Sequence, residues 1–83
     1  MGENVKVKIF SKKPCSYCER AMAFFRQKGI PFEEVDLSND SAGLTALKNQ
    51  TGHLTVPQIF IDGKFIGGYR ELIALHESGL IYF

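Results

Sequence analysis

Val5-Lys6-Val7-Lys8-Ile9-Phe10-Ser11-Lys12-Lys13-Pro14-Cys15-Ser16-Tyr17-Cys18 is the stretch that decides the fold. Its first six residues alternate apolar with charged and end apolar. That alternation and the β-branched content predict a strand over 5–10. Ser11-Lys12-Lys13-Pro14 reads as a break. From Cys15 the period changes. Ala21, Met22, Phe24, Phe25 and the aliphatic stem of Lys28 recur at helical spacing, Gly29 is a natural stop, and Pro31 follows it. A cysteine pair therefore falls where a strand hands over to a helix.

Working outward, Phe32-Glu33-Glu34-Val35-Asp36-Leu37 reads as a second strand. Strand, short helix and strand in this order predict a right-handed parallel βαβ unit. Ser38-Asn39-Asp40-Ser41 is rich in capping residues, and Leu44, Leu47 and Lys48 predict a weak, short helix ending near Gly52. Thr55-Val56-Pro57 leads into a third strand, Gln58-Ile59-Phe60-Ile61. Asp62-Gly63 is a two-residue hairpin signal joining that strand to Lys64-Phe65-Ile66. Gly67-Gly68 ends the fourth strand, and Leu72, Ile73 and Leu75 mark a last helix that stops at Gly79. The expected architecture is α/β, β-α-β-α-β-β-α, with one mixed sheet of about four strands flanked by helices. Leu80-Ile81-Tyr82-Phe83 is an apolar tail with no evident role.

Eighty-three residues allow one domain, spanning 1–83. A hydrophobic share of 45 % is enough for a small core, and with 23 % charged residues it speaks against disorder. The net charge of +1 offers no excess of cations for a nucleic acid to draw on, and leaves room only for a local site for one small anion. No apolar run approaches the roughly 20 residues that cross a bilayer. No signal-peptide pattern precedes the first strand, and Gly2 lacks the Ser or Thr that a myristoylation site wants, since Lys6 stands there. The expectation is a soluble, cytoplasmic monomer that binds neither nucleic acid nor membrane.

Two cysteines are too few for a secreted disulfide framework, and closing so short a loop as a staple contributes only about 2 kcal/mol. Chemistry is the better reason for the pair. Residues three apart share one helix face, so the two sulfurs can meet. The first helical turn offers unpaired N–H groups and the positive end of the dipole, which favour a thiolate, and Lys12 and Lys13 add charge nearby. Cys15, at or before the helix start, is expected to be the exposed attacking thiol, with Cys18 more buried. Inert packing and half of a zinc site are the alternatives, although the other half is missing: His53 and His76 show no ligand spacing. Both histidines read as surface residues, Lys13 and the Glu33-Glu34 pair as solvated charges, and Phe24, Phe25, Phe32, Phe60 and Phe65 as core or sheet-face residues.

Lys12-Lys13-Pro14-Cys15-Ser16-Tyr17-Cys18, then Thr55-Val56-Pro57, then Gly67-Gly68-Tyr69 resemble, in this order, the motifs of the glutaredoxin family. The resemblance runs from about Val5 to Gly79. It implies a thioredoxin-like fold and a glutathione-disulfide oxidoreductase, with glutathione as co-substrate and no tightly bound cofactor. Cys15 then matches the nucleophile and Cys18 the resolving cysteine, the two forming the redox-active disulfide. Lys12 matches a lysine that pairs with the glycine carboxylate of glutathione, and Tyr17 an aromatic contact to it. Thr55, Val56 and Pro57 match a segment whose Val56 backbone pairs with the glutathione cysteine like an added strand. Pro57 matches a cis-proline, where the residues alone would suggest trans. Gly67 and Gly68 suggest an anion nest for the γ-glutamyl carboxylate, continued by Tyr69, Arg70 and Glu71.

Two residues depart from the family pattern. Arg70 stands where acidic residues are common, which bears on recognition of the ligand's ammonium group. Ser16 replaces a common proline, and some relatives with serine there hold a [2Fe–2S] cluster between two subunits through the first cysteine of each chain and two glutathiones. The resemblance thus leaves rivals: a cluster-binding form with Cys15 as ligand, a donor reduced by thioredoxin reductase, and a non-catalytic interaction domain. Its implied partners are glutathione and proteins carrying disulfides or glutathionylated cysteines, with ribonucleotide reductase one candidate target.

Overall fold

In the computed structural model, which describes residues 5–79, β1 (Val7–Ser11) forms the centre of the sheet. Gly2 and the apolar tail lie outside the described residues. β1 starts two residues later than its alternation predicts. Before it, the Lys6 backbone pairs with the hairpin turn instead: its N–H donates to Asp62 Oδ1 (2.9 Å) and its carbonyl accepts from the Asp62 N–H (2.8 Å). At the other end Ser11, expected to break the strand, closes it. It is buried, its hydroxyl donates to Glu34 Oε2 (2.8 Å), and its carbonyl accepts from the Leu37 N–H.

α1 (Ser16–Gln27) ends as the glycine suggests. Gly29 has φ +70°, and the N–H groups of Ile30 and Gly29 return to the carbonyls of Phe25 and Arg26, a Schellman closure that folds Ile30 onto the core. β2 (Phe32–Asp36) follows in parallel register with β1. α2 (Ser41–Thr51) is capped by Asp40 Oδ1, which accepts from the Gly43 N–H (2.9 Å), and is closed by Gly52 at φ +73°. β3 (Gln58–Ile61) and β4 (Lys64–Gly67) are joined through Asp62 and Gly63, at φ +53° and +81°. Two successive positive φ values are what a type I′ turn requires, and Asp-Gly supplies them at low cost. α3 (Tyr69–Glu77) completes the order.

The strands lie in the order β2-β1-β3-β4, with β1 and β2 parallel and the other pairs antiparallel. The mixed four-stranded sheet and three helices match the expected architecture. Alternation along the strands splits the core in two. Val7, Ile9 and Ile59 face α1 and α3, packing with Ala21, Met22, Phe25 and Leu72. Phe10, Val35 and Phe60 face the other way, against Leu44 and Leu47 of α2. That second face is only partly covered. Lys8 and Glu33 alternate onto it and pair across the strands (3.9 Å), so Glu33 is exposed but not isolated. All the chemistry sits at one end of the sheet, where β1 enters α1 and the loop before β3 meets the start of α3.

Candidate active site

Cys15 is the N-cap of α1, in extended backbone (φ −157°, ψ 107°). Its Sγ occupies the place of a capping oxygen: the Cys18 N–H donates to it at 3.1 Å. Sulfur at this position takes up one of the orphan donors of the first turn, and a thiolate takes it up best. The same Sγ lies 3.7 Å from the Val56 carbonyl, to which the thiol form donates. Cys15 is half-buried, less open than its position at the helix start suggests.

Cys18 points inward from the same face and is 2 % exposed. Burial pushes its thiol up from the usual 9.0 to about 12, and its interaction with Cys15 adds to this, while a hydrogen bond from the Lys12 backbone partly offsets it. The two sulfurs are therefore electrostatically unlike: one sits at an amide-lined helix start, the other is a protonated thiol in the core. Both are free.

Next to Cys15, across Val56, is a groove of about 400 Å³, lined by Tyr17, His53, Thr55, Val56, Pro57, Gly68, Tyr69, Arg70 and Glu71. The Val56–Pro57 bond is cis. Lys13–Pro14 is also cis, which nothing in the sequence foretold. Tyr17, 42 % exposed, leans on Tyr69 with ring centroids 6.0 Å apart, and the Arg20 guanidinium lies over the Tyr17 ring (5.3 Å). The two rings form one wall and the segment 53–57 the other.

The floor differs from the expected nest. Gly68 is the N-cap of α3, and its N–H donates to Glu71 Oε1 at 2.8 Å. That hydrogen bond comes first among the causes holding the Glu71 carboxyl below its usual range. The chain thus uses its own carboxylate to satisfy Gly68. Gly67 has φ +118°, and a Cβ built there would fall 2.6 Å from Glu71 Cγ, so glycine is required at that position.

The two lysines before Cys15 have different surroundings. Lys13 pairs with Asp36 (3.8 Å) and donates its N–H to Ser38 Oγ (2.8 Å), while its side chain stays 59 % exposed, so it is the solvated charge expected, turned towards Asp36. Asp36, held below its usual range chiefly by the Ser38 hydroxyl, is the anchor of that corner. Lys12 is exposed and is not part of the groove lining, nor is Gly67. His53 was missed. Far from being a plain surface residue it is half-buried in the wall, with Nε2 3.2 Å from Thr55 Oγ1 and its ring 5.6 Å from that of Phe65. Its nearness to Thr55 in sequence was the available signal. His76 packs edge-on to Phe24 (5.1 Å) on α3.

A family model described as Glutaredoxin matches residues 7–66. The chain belongs to the glutaredoxin family. It is 41 % identical over 73 residues to glutaredoxin 3 of Escherichia coli K12, covering 88 % of each chain. The structure is similar to the buckwheat glutaredoxin–glutathione complex (TM-score 0.83, 36 % identity, 93 % of this chain and 73 % of that one). It is also similar to glutaredoxin 1 of Francisella tularensis complexed with cacodylate (TM-score 0.76, 34 % identity, 92 % and 96 %). The fold is thioredoxin-like, and membership makes the chain a thiol-disulfide oxidoreductase. Within that family fold, the Cys15 and Cys18 sulfurs and the groove wall of Thr55, Val56 and Pro57 come together at one end of the sheet.

Proposed function

We propose that this glutaredoxin reduces glutathione mixed disulfides and protein disulfides at the expense of glutathione, with Cys15 as nucleophile and Cys18 as resolving cysteine. The observation that carries this is the Cys15 Sγ held as the N-cap of α1, against Val56 at the end of a groove of peptide size. The buckwheat relative was crystallised with glutathione. Here the glutathione cysteine would lie along the Val56 backbone. Its γ-glutamyl carboxylate would reach the free amides at the start of α3, between Tyr69 and Arg70.

In the first step the Cys15 thiolate attacks the glutathione sulfur of a mixed disulfide. The Cys15–glutathione bond forms, the old S–S bond breaks, and the target leaves as a thiolate that takes a proton from water. A second glutathione thiolate attacks that adduct, restoring Cys15 and releasing oxidised glutathione. With a protein disulfide, Cys15 attacks one target sulfur, the target S–S bond breaks, and the other target sulfur leaves as a thiolate that takes a proton from water. Cys18 then loses its proton and attacks Cys15, giving the Cys15–Cys18 disulfide and a dithiol target. The raised Cys18 thiol suits this sequence. While Cys15 is reduced, Cys18 stays protonated and does not compete. Once Cys15 is in a disulfide, its part in raising Cys18 disappears.

A cluster-bound form would draw one ligand, Cys15, from this chain, because Cys18 is buried and no three His, Cys, Asp or Glu converge among the described residues. The remaining ligands would come from glutathione and a second copy. The reaction proper needs no such group. We place it in the cytoplasm, where glutathione keeps thiols reduced. Turnover of a small glutathione mixed disulfide, with glutathione or thioredoxin reductase as the reductant, tests the reading. Glutathione should sustain the reaction, and turnover supported by thioredoxin reductase alone would refute it.

A further inference from the structure

Behind the groove wall lies a buried amide that the chemistry above does not use. Gln58, the first residue of β3, is 0 % exposed and sits on the α2 side of the sheet. Its Nε2 donates to the carbonyls of His53 (2.6 Å) and Thr55 (3.3 Å), and its Oε1 accepts from the Thr51 hydroxyl (2.8 Å). Thr51 Oγ1 in turn accepts from the His53 N–H (3.1 Å) and has the Leu47 carbonyl within 3.1 Å. Two carbonyls on one side and a hydroxyl on the other leave the amide a single sensible orientation. One side chain thereby ties the end of α2 to both halves of the loop that builds the wall.

Successive carbonyls of that loop point in different directions. The Thr55 carbonyl is drawn inward to Gln58, and the Val56 carbonyl faces the Cys15 sulfur. We propose that Gln58 is a positioning residue for substrate: by holding the Thr55 carbonyl inward it keeps the Val56 edge turned to the groove, set for a peptide backbone before one arrives. The substrate class is a peptide-like thiol or disulfide that adds to Val56 as a strand would. This deepens the glutathione reading and rests on it. Loss of Gln58 leaves two part-buried carbonyls without their donor, so the loop reorients, and the ordering cost moves to the binding step.

The test compares Gln58→Met, which keeps length and apolar bulk, with the wild-type full chain on a small glutathione mixed disulfide. KM should rise about tenfold with kcat within roughly threefold, because the sulfur chemistry is untouched. The rate of Cys15 alkylation by iodoacetamide, which needs no groove, should stay at the wild-type value. Thr51→Val should raise KM in the same way and Thr51→Ser should restore it, a pair that also serves if Gln58→Met does not fold. An unchanged KM in Gln58→Met or Thr51→Val would overturn the proposal, as would a KM rise matched by equal losses in kcat and alkylation rate. A wild-type chain that fails to turn over with glutathione would refute the glutathione reading instead, and that result is read before any variant is compared.

Discussion

The Cys18 N–H donates to the Cys15 Sγ at 3.1 Å, so the residue with the buried thiol uses its backbone to cap with the other's sulfur. One short segment thus builds two cysteines of opposite character. Cys15 meets amides and a groove. Cys18 meets the core and a thiol pushed up to about 12.

Alkylation of the reduced protein near neutral pH should therefore label Cys15 first, by at least about a hundredfold, since only thiolate reacts and Cys18 is both protonated and enclosed. Peptide mapping after short exposure to iodoacetamide checks this. Comparable labelling of Cys18 would reverse the assignment.

The same burial has a pH signature. In the unfolded chain the Cys18 thiol ionises around 9.0, in the folded one only around 12. Its contribution to stability is full below 9.0 and is lost as pH climbs from there towards 12, because the unfolded chain sheds the proton first. Denaturant melts of the reduced protein between pH 8 and 11 should show stability falling more steeply than in Cys18→Ala. Parallel curves would contradict the burial account.

Glu71 closes α3 by returning to the Gly68 N–H. Removing that bond in Glu71→Ala should cost about 1 kcal/mol. In a domain of this size such a loss corresponds to a Tm lower by ~4–8 °C. Gly67→Ala should cost more. It forces a Cβ to within 2.7 Å of Glu71 Cβ at φ +118°, and such backbone alone costs roughly 1–3 kcal/mol. Thermal melts of the two variants should rank in that order.

Arg70 stands exposed in the groove lining, beside the place proposed for the γ-glutamyl end with its ammonium group. Arg70→Asp should lower KM for a glutathione mixed disulfide by about two- to fivefold, the range of an exposed charge pair, and the gain should fade with added salt. A rise in KM would show that Arg70 holds the carboxylate rather than repelling the ammonium.

Most of the fold was legible because its signals are local. Asp62-Gly63 turned where a type I′ hairpin should, Gly29 and Gly52 stopped their helices, and the change of period at Cys15 marked the strand-to-helix junction. What stayed hidden depends on partners distant in sequence. Glu34 reaches Ser11 across 23 residues, Lys13 is tied to Asp36 and Ser38 at the end of β2, and His53 joins the groove only once α3 is packed beside it. The partner of the Gly68 N–H stayed hidden for a similar reason. The glycines showed that backbone would be accessible, but which acceptor takes the Gly68 N–H depends on the rotamer of Glu71, one turn further on.

The central claim, that Cys15 carries the attacking sulfur of a glutathione-dependent exchange, is tested most directly by loading. Cys18→Ser and Cys15→Ser are each exposed to a glutathione mixed disulfide, and the intact mass is followed with time. Cys18→Ser should take up one glutathione per chain rapidly and lose it again on addition of free glutathione, while Cys15→Ser takes up none on the same timescale. Equal loading of the two variants, or none in Cys18→Ser, would contradict the account.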